Sequence, residues 1–337
     1  MNQPINATGY ENIFQLLGRS GVGSPAGLRE NFVQQKISVN GEIAQTDSTV
    51  ECGDEVVLDG LGYRIEKSNH SGHLRVIPMA PDTGRIEGRR LIQCGYHKCL
   101  TNYFRKVLRR TSRNPLANIG EYQHFYHRLD EFYRRCHFFS ISSISGHAID
   151  LDRFEDARVT RFIRDPRDLL VSGYYYHKRS AESWCDLVDP EDSDWEIVNG
   201  KVPEQLPRGS SLSKYLNSVS VEEGLLAELD FRQNHYDSMM AWPDEDARIR
   251  LFRYEDLVGN EAEIYNQMFE FYELSTASKF VGRFYARRYR AAKRQASLKH
   301  IRNANSGQWR EHFTPEVTRQ FNQRHEALLE KQEYLPA

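Results

Sequence analysis

A chain of 337 residues with 39% hydrophobic content is long enough for two domains with ordinary cores, and a net charge of −2 excludes a chain-wide attraction to nucleic acid or membrane. No stretch of about 18 apolar residues occurs, and the first six residues lack a basic start followed by an apolar core, which argues against secretion and against a membrane anchor. Five scattered cysteines (Cys52, Cys94, Cys99, Cys136, Cys185) form no disulfide framework and favour a reducing, cytoplasmic compartment, where the Asn6-Ala-Thr8 sequon carries no weight.

In chain order, residues 1–66 read as a small α+β domain. Ile13, Phe14, Leu16 and Leu17 predict a short helix, Ser24-Pro25 start a second through Leu28, Phe32 and Val33, and short strands begin at Ile37. Val39-Asn-Gly41 and Cys52-Gly-Asp54-Glu-Val-Val-Leu resemble the S4 fold of ribosomal and tRNA-synthetase RNA-binding modules. Residues 1–60 hold three Lys/Arg against eight Asp/Glu, so this S4-like module repels a phosphate backbone. Docking of a partner or of its own catalytic domain is the favoured role, and RNA is disfavoured. Residues 67–88, with Ser68, Asn69, Gly72, Pro78, Pro81 and Gly84, read as a linker.

Residues 89–337 carry two anion-binding patterns. In the first, an apolar run ends at Gly95, Lys98 and Thr101 follow, and Tyr103, Phe104, Val107 and Leu108 recur at helical spacing. Lys98 and Thr101 thus fall at a helix N-terminus, where free amides and the dipole favour phosphate. In the second, Arg164 closes a strand, Pro166 opens a helix, and Ser172 lies two turns beyond Arg164. Two such sites imply a ligand with phosphate at both ends. A nucleoside triphosphate is disfavoured: the G-x-x-x-x-G-K-[ST] spacing is missing, and Cys99 follows Lys98.

Strands are expected near 90–95, 137–142, 158–163 and 247–253, giving a parallel sheet flanked by helices. Residues 181–222 interrupt this as an acceptor or lid insertion with an acidic run (Asp186, Asp189, Glu191, Asp192, Asp194, Glu196), read as a solvated loop. Residues 279–310 hold ten Lys/Arg and no Asp/Glu, with helical periodicity from Phe280 to Lys299, and read as a positive wall around the nucleotide and an anionic acceptor. No His/Cys cluster has zinc spacing, and Glu255 and Asp256 are read as structural.

Four segments together resemble sulfotransferases that use 3′-phosphoadenosine 5′-phosphosulfate (PAPS). Gly95-Tyr-His-Lys-Cys-Leu-Thr-Asn is similar to that family's G-Y-P-K-S-G-T-T loop, and Arg164-Asp-Pro-Arg-Asp-Leu-Leu-Val-Ser172 to its R-N-P-K-D-x-x-x-S segment. Phe252-Arg-Tyr-Glu-Asp-Leu257 and Arg302-Asn-Ala-Asn-Ser-Gly307-Gln-Trp309-Arg-Glu-His-Phe-Thr314 match its Y-E-D-L and late R-K-G-x-x-G-D-W elements. The chain departs from the pattern at Cys99, Leu100, Asn303 and Ala304.

The resemblance implies a P-loop-like sulfotransferase fold, PAPS as donor with 3′-phosphoadenosine 5′-phosphate (PAP) as product, and no metal. It implies that His97, Lys98, Cys99, Leu100, Thr101, Asn102 and Tyr103 hold the phosphosulfate end, with Tyr103 against adenine or in the core. Arg164, Ser172 and Arg302 would hold the 3′-phosphate. Lys98 would stabilise the leaving phosphate oxygen, and His147 would take the proton of an acceptor hydroxyl, with Glu121, His124 and His127 as reserves. The acceptor is expected to be a small molecule or carbohydrate, without membrane association, and an added module is compatible with a homodimer. The contrasting reading, motivated by Leu100 and the S4-like module, is a non-catalytic RNA- or protein-binding protein with a degenerate nucleotide fold.

Overall fold

A computed structural model describes residues 9–20, 22, 25–67, 74–79, 85–196, 198–290 and 306–334. The chain divides into two compact units, residues 1–81 with 174–234, and residues 82–173 with 235–337.

The first unit opens with β1 (Glu11–Asn12), α1 (Ile13–Arg19) and α2 (Pro25–Val33). Asn12 caps α1 by accepting the Gln15 amide at 3.0 Å, and Arg19 in the last turn makes two 2.7 Å bonds to Glu11. Strands β2 (Ile37–Val39), β3 (Glu42–Ile43), β5 (Glu55–Leu58), β6 (Leu61–Lys67) and β7 (Leu74–Pro78) form an antiparallel sheet in the order β3-β2-β5-β6-β7, while β4 (Thr49–Val50) pairs with β1. Period-two alternation sends Val56, Leu58, Leu61, Tyr63 and Ile65 inward against Ile13, Leu16, Leu17 and Leu28. The sheet continues to Leu74–Pro78, inside the span read from the sequence as a linker.

The second unit begins with β8 (Ile86–Gly95), followed by α3 (Thr101–Ser112), β9 (Tyr122–His124), α4 (Leu129–Arg135), β10 (Ile141–Ser145), β11 (Phe154–Ile163) and α5 (Pro166–Lys178), whose last five residues belong to the first unit. Helix α3 buries Tyr103, Phe104, Val107, Leu108 and Thr111 along one stripe.

Residues 174–234 complete the first unit and contain α6 (Leu212–Ser218) and α7 (Val221–Phe231). The acidic run is only partly solvated: Asp189, Asp192 and Glu196 are exposed, while Asp194 is buried. Asp194 accepts the Glu191 amide at 2.9 Å, Asp192 the Val202 amide at 2.6 Å, Asp189 the Gly209 amide at 2.7 Å, and Asp186 the hydroxyls of Ser180 and Ser213. These carboxylates take the place of a backbone ladder in a segment too irregular to form one. Trp184, Trp195 and Phe231 pack together beneath them, and His177 and Arg232 both donate to the buried Glu228 at 2.7 Å.

The second unit closes with α8 (Gln233–Met240), β12 (Ile249–Arg253), α9 (Tyr254–Leu257), α10 (Glu261–Phe271), α11 (Thr276–Arg288) and helices at Trp309–His312 and Pro315–Lys331. Its five-stranded sheet is wholly parallel in the order β12-β11-β8-β10-β9. β10 and the last residues of β8 and β11 are buried on both faces, as expected for a parallel sheet covered by helices. Three expected strands fall at their places. The expected 137–142 strand is displaced to Ile141–Ser145, because Cys136–Phe138 close a 3-10 turn first, and β9 is an additional strand.

Candidate functional site

Because all five strands are parallel, their C-terminal ends open on one edge. Register places Gly95 beside Ser145, Cys94 beside Arg161 and Ile163 beside Arg253. The chain leaves β8 toward β9 on one side of the sheet, and leaves β11 toward β12 on the other. The crevice between the ends of β8 and β11 is therefore the topological switch point, where open α/β sheets bind ligands. The Lys98 loop follows β8 and Arg164 follows β11, so the fold brings both sequence patterns to this crevice.

The Lys98 loop is built as a tight turn. Tyr96 is buried and its hydroxyl accepts the Trp242 indole N–H at 2.9 Å, which fixes the start of the loop. The Cys99 amide returns to the Tyr96 carbonyl at 2.9 Å. Lys98 (φ 76°) and Leu100 (φ 59°, ψ 30°) both take the left-handed conformation. Leu100 thus occupies a backbone state that glycine adopts freely, and its half-buried side chain packs on the core beneath α3. Its carbonyl accepts the Tyr103 and Phe104 amides at 2.8 and 3.1 Å, so Thr101 and Asn102 supply the first-turn amides of a twelve-residue helix. His97, Lys98 and Thr101 are half-buried and Asn102 is exposed.

Two residues of the expected set point elsewhere. Tyr103 is 3% exposed, packs edge-on against Phe104 and Tyr265, and donates to the Ala286 carbonyl at 3.2 Å. It is a core residue and not an adenine platform, because helical periodicity turns it inward. Cys99 is 3% exposed, and its amide is used within the loop.

Arg164 is 3% exposed, with its guanidinium 4.3 Å from the Tyr254 ring centroid and 3.6 Å from the Asp168 carboxylate. Asp168, the aspartate of the Arg164–Ser172 segment, has no role assigned from the sequence. It is 1% exposed and accepts the amides of Gly307 (2.7 Å) and Trp309 (3.0 Å), joining the late segment to Arg164. Ser172, half-buried, follows Asp168 by four residues, which puts the two on the same stripe of α5, while Arg164 precedes the helix. Trp309 is packed between Arg167 (3.9 Å) and Arg310 (4.5 Å), in line with a packing role. Glu255 accepts the Asp165 amide at 3.0 Å and the Tyr334 hydroxyl at 2.7 Å, a structural use. Arg302 lies outside the described residues, as does the part of the expected Phe280–Lys299 helix beyond Arg290.

His147 follows β10 on the same edge. Its Nε2 lies 2.8 Å from the His127 carbonyl. A carbonyl only accepts, so Nε2 carries the hydrogen, and the neutral ring holds its lone pair on Nδ1. Gly146, at φ 85°, makes this approach: an added Cβ would lie 2.7 Å from His127 Nδ1. Among the reserves, His127 shares the edge and meets His97 edge-on at 6.2 Å between ring centroids. His124 is buried, and burial followed by the cations Arg105, His127 and Arg128 holds its pKa well below the usual histidine value, which unsuits it as a base. Glu121 precedes β9 at the level of Ser140, about 16 Å of strand away from Ser145, so it sits toward the opposite edge. Among the described residues, no group of three or more His, Cys, Asp or Glu is arranged to hold a metal ion.

The family model of the sulfotransferase domain matches residues 153–333, more than half of the chain, and the chain belongs to the sulfotransferase family. The match includes Arg164, Asp168, Ser172 and Trp309; Lys98 and His147 precede it. No curated protein matches the sequence. Similar solved structures include mouse sulfotransferase SULT7A1 complexed with PAP, at 12% identity over 77% of this chain and 95% of that one with a TM-score of 0.47. Retinol dehydratase is also similar, in complexes with retinol and PAP (TM-score 0.40) and with androsterone and PAP (TM-score 0.38), each at 12% identity over 79% of this chain and 90% of that one.

Proposed function

We propose that the protein transfers a sulfuryl group from PAPS to an acceptor hydroxyl. The observation that carries this reading is the convergence of the α3 N-terminus, Arg164 and His147 on one sheet edge of a sulfotransferase-family chain. PAPS supplies the activated sulfuryl group. The first-turn amides of Thr101 and Asn102 and the Lys98 ammonium suit its phosphosulfate end, and the Arg164 guanidinium with the Ser172 hydroxyl suits its 3′-phosphate. Lys98 stabilises negative charge on the departing phosphate oxygen, and His147 Nδ1 takes the acceptor proton.

The N-terminal residues are read as an S4-like docking module, the protein as cytoplasmic, and the acceptor as a small molecule or carbohydrate. All five cysteines are free. No helix among the described residues is long and apolar enough to cross a membrane. Transfer of labelled sulfuryl from PAPS to a hydroxyl acceptor panel tests the reading: turnover that disappears in a folded His147→Ala protein supports it. Absence of turnover in the native protein, together with a salt-sensitive RNA complex, would favour the binding-protein alternative.

A further inference from the structure

Near the His147 end of this edge lies a cation, Arg105, that no acidic group among the described residues answers. Arg105 lies one turn beyond Thr101 on α3, and its side chain leans toward the helix N-terminus, as helical side chains do. There it donates to the Tyr126 hydroxyl and lies 5.6 Å from that ring's centroid. A phenol hydroxyl orients the guanidinium without supplying a carboxylate's charge.

Among the described residues, the surroundings bring no uncommitted carboxylate to it. Tyr126 and His127 form a shoulder beside His147, tied down by the Ser145 amide on the Tyr126 carbonyl (2.7 Å) and by His147 Nε2 on the His127 carbonyl (2.8 Å). Arg128, next along, is matched by Glu131, which also takes Arg135 at 3.3 Å, so that carboxylate is already committed. His124 sits beneath, 5% exposed, with neither ring nitrogen hydrogen-bonded among the described residues. Burial first, and then Arg105, His127 and Arg128, hold its pKa well below the usual histidine value. His97, whose ring meets that of His127 at 6.2 Å, and His147 lie beside the shoulder. Arg105, Tyr126, His127 and His147 are all half-buried, so a ligand can reach them while much of the water is displaced.

We propose that the acceptor carries an anionic group, a carboxylate or a sulfate or phosphate ester, bound by Arg105 on the Tyr126–His127 shoulder, which turns its hydroxyl toward His147 Nδ1. A half-buried guanidinium whose hydrogen-bond partner among the described residues is a phenol gains most from an ionised oxygen partner, through paired N–H donors. The inference rests on the sulfuryl-transfer reading above and adds the acceptor's chemistry to it.

The test compares 4-nitrophenyl β-glucuronide with 4-nitrophenyl β-glucoside, which differ in a carboxylate, in turnover with PAPS and in calorimetric binding to the PAP-loaded protein. The glucuronide should be favoured roughly tenfold to hundredfold, the size expected for one charged contact. That preference should collapse toward one in Arg105→Met and persist in part in Arg105→Lys, with PAP affinity unchanged in both. Equal behaviour of the two glycosides in the native protein, including no binding of either, overturns the proposal, as does a preference that survives Arg105→Met. Weakened PAP binding in Arg105→Met would assign Arg105 to the donor and also overturn it. Failure of the native protein to bind PAP would instead remove the sulfuryl-transfer reading beneath it.

Discussion

Arg164 and Asp168 face each other one helical turn apart, 3.6 Å from guanidinium to carboxylate, and the same carboxylate holds the amides of Gly307 and Trp309. One buried acid therefore joins the end of β11, the start of α5 and the late segment. Asp168→Ala removes a buried carboxylate from the Arg164 guanidinium and two amides, and is expected to lower unfolding stability by about 3–5 kcal/mol in urea titrations. Asp168→Asn keeps one acceptor oxygen and should lose less.

Leu100 sets two effects against each other. The left-handed state costs an L-residue roughly 1–2 kcal/mol, while its side chain contributes packing beneath α3. Leu100→Gly should leave stability within about 1 kcal/mol of the native value and bind PAP more tightly, because the backbone can approach the phosphate closely. Leu100→Val, β-branched in the same state, should be clearly destabilised. Melting curves and PAP titrations of the two variants check both expectations.

Acid should destabilise the fold in a defined window. Burial, aided by Arg324, lowers the His325 pKa from 6.5 to about 4, and burial with nearby cations lowers that of His124. As pH falls below about 6.5 the unfolded chain takes up these protons first, so the stability present above that pH drains away toward pH 4. Urea unfolding at pH 7, 5.5 and 4.5 should show the decline. His325→Gln should reduce its slope by up to about 1.4 kcal/mol per pH unit, one proton's worth.

The His147 tautomer is also open to direct observation. Nitrogen-15 correlation spectra of the neutral protein should show the hydrogen on Nε2, as its contact with the His127 carbonyl requires. A hydrogen on Nδ1 would remove the lone pair from the nitrogen assigned to take the acceptor proton.

Much of this site was legible in the sequence because it depends on local patterns. Gly95 before Lys98, and Arg164 before Pro166, mark strand-to-helix turns in neighbouring residues, and parallel strands carry such turns to one edge. What was not legible depends on long-range packing. Asp168 looked like an ordinary first-turn acid until Gly307 and Trp309, some 140 residues later, reached it. Tyr103 was balanced between ligand and core, and only the rings of Phe104 and Tyr265 decide for the core. β9 has three residues, too few for a period to show, and the serines of β10 hid a fully buried strand. The acidic run of residues 186–196 resembled a solvated loop because composition does not reveal which backbone amides its carboxylates will meet.

The most direct test of the central claim is titration calorimetry of the protein with PAP and with ATP, repeated on Lys98→Ala and Arg164→Ala. The account predicts selective PAP binding that weakens roughly tenfold to hundredfold in each variant, the loss of one charged contact. No PAP binding, or PAP affinity indifferent to both substitutions, would contradict it.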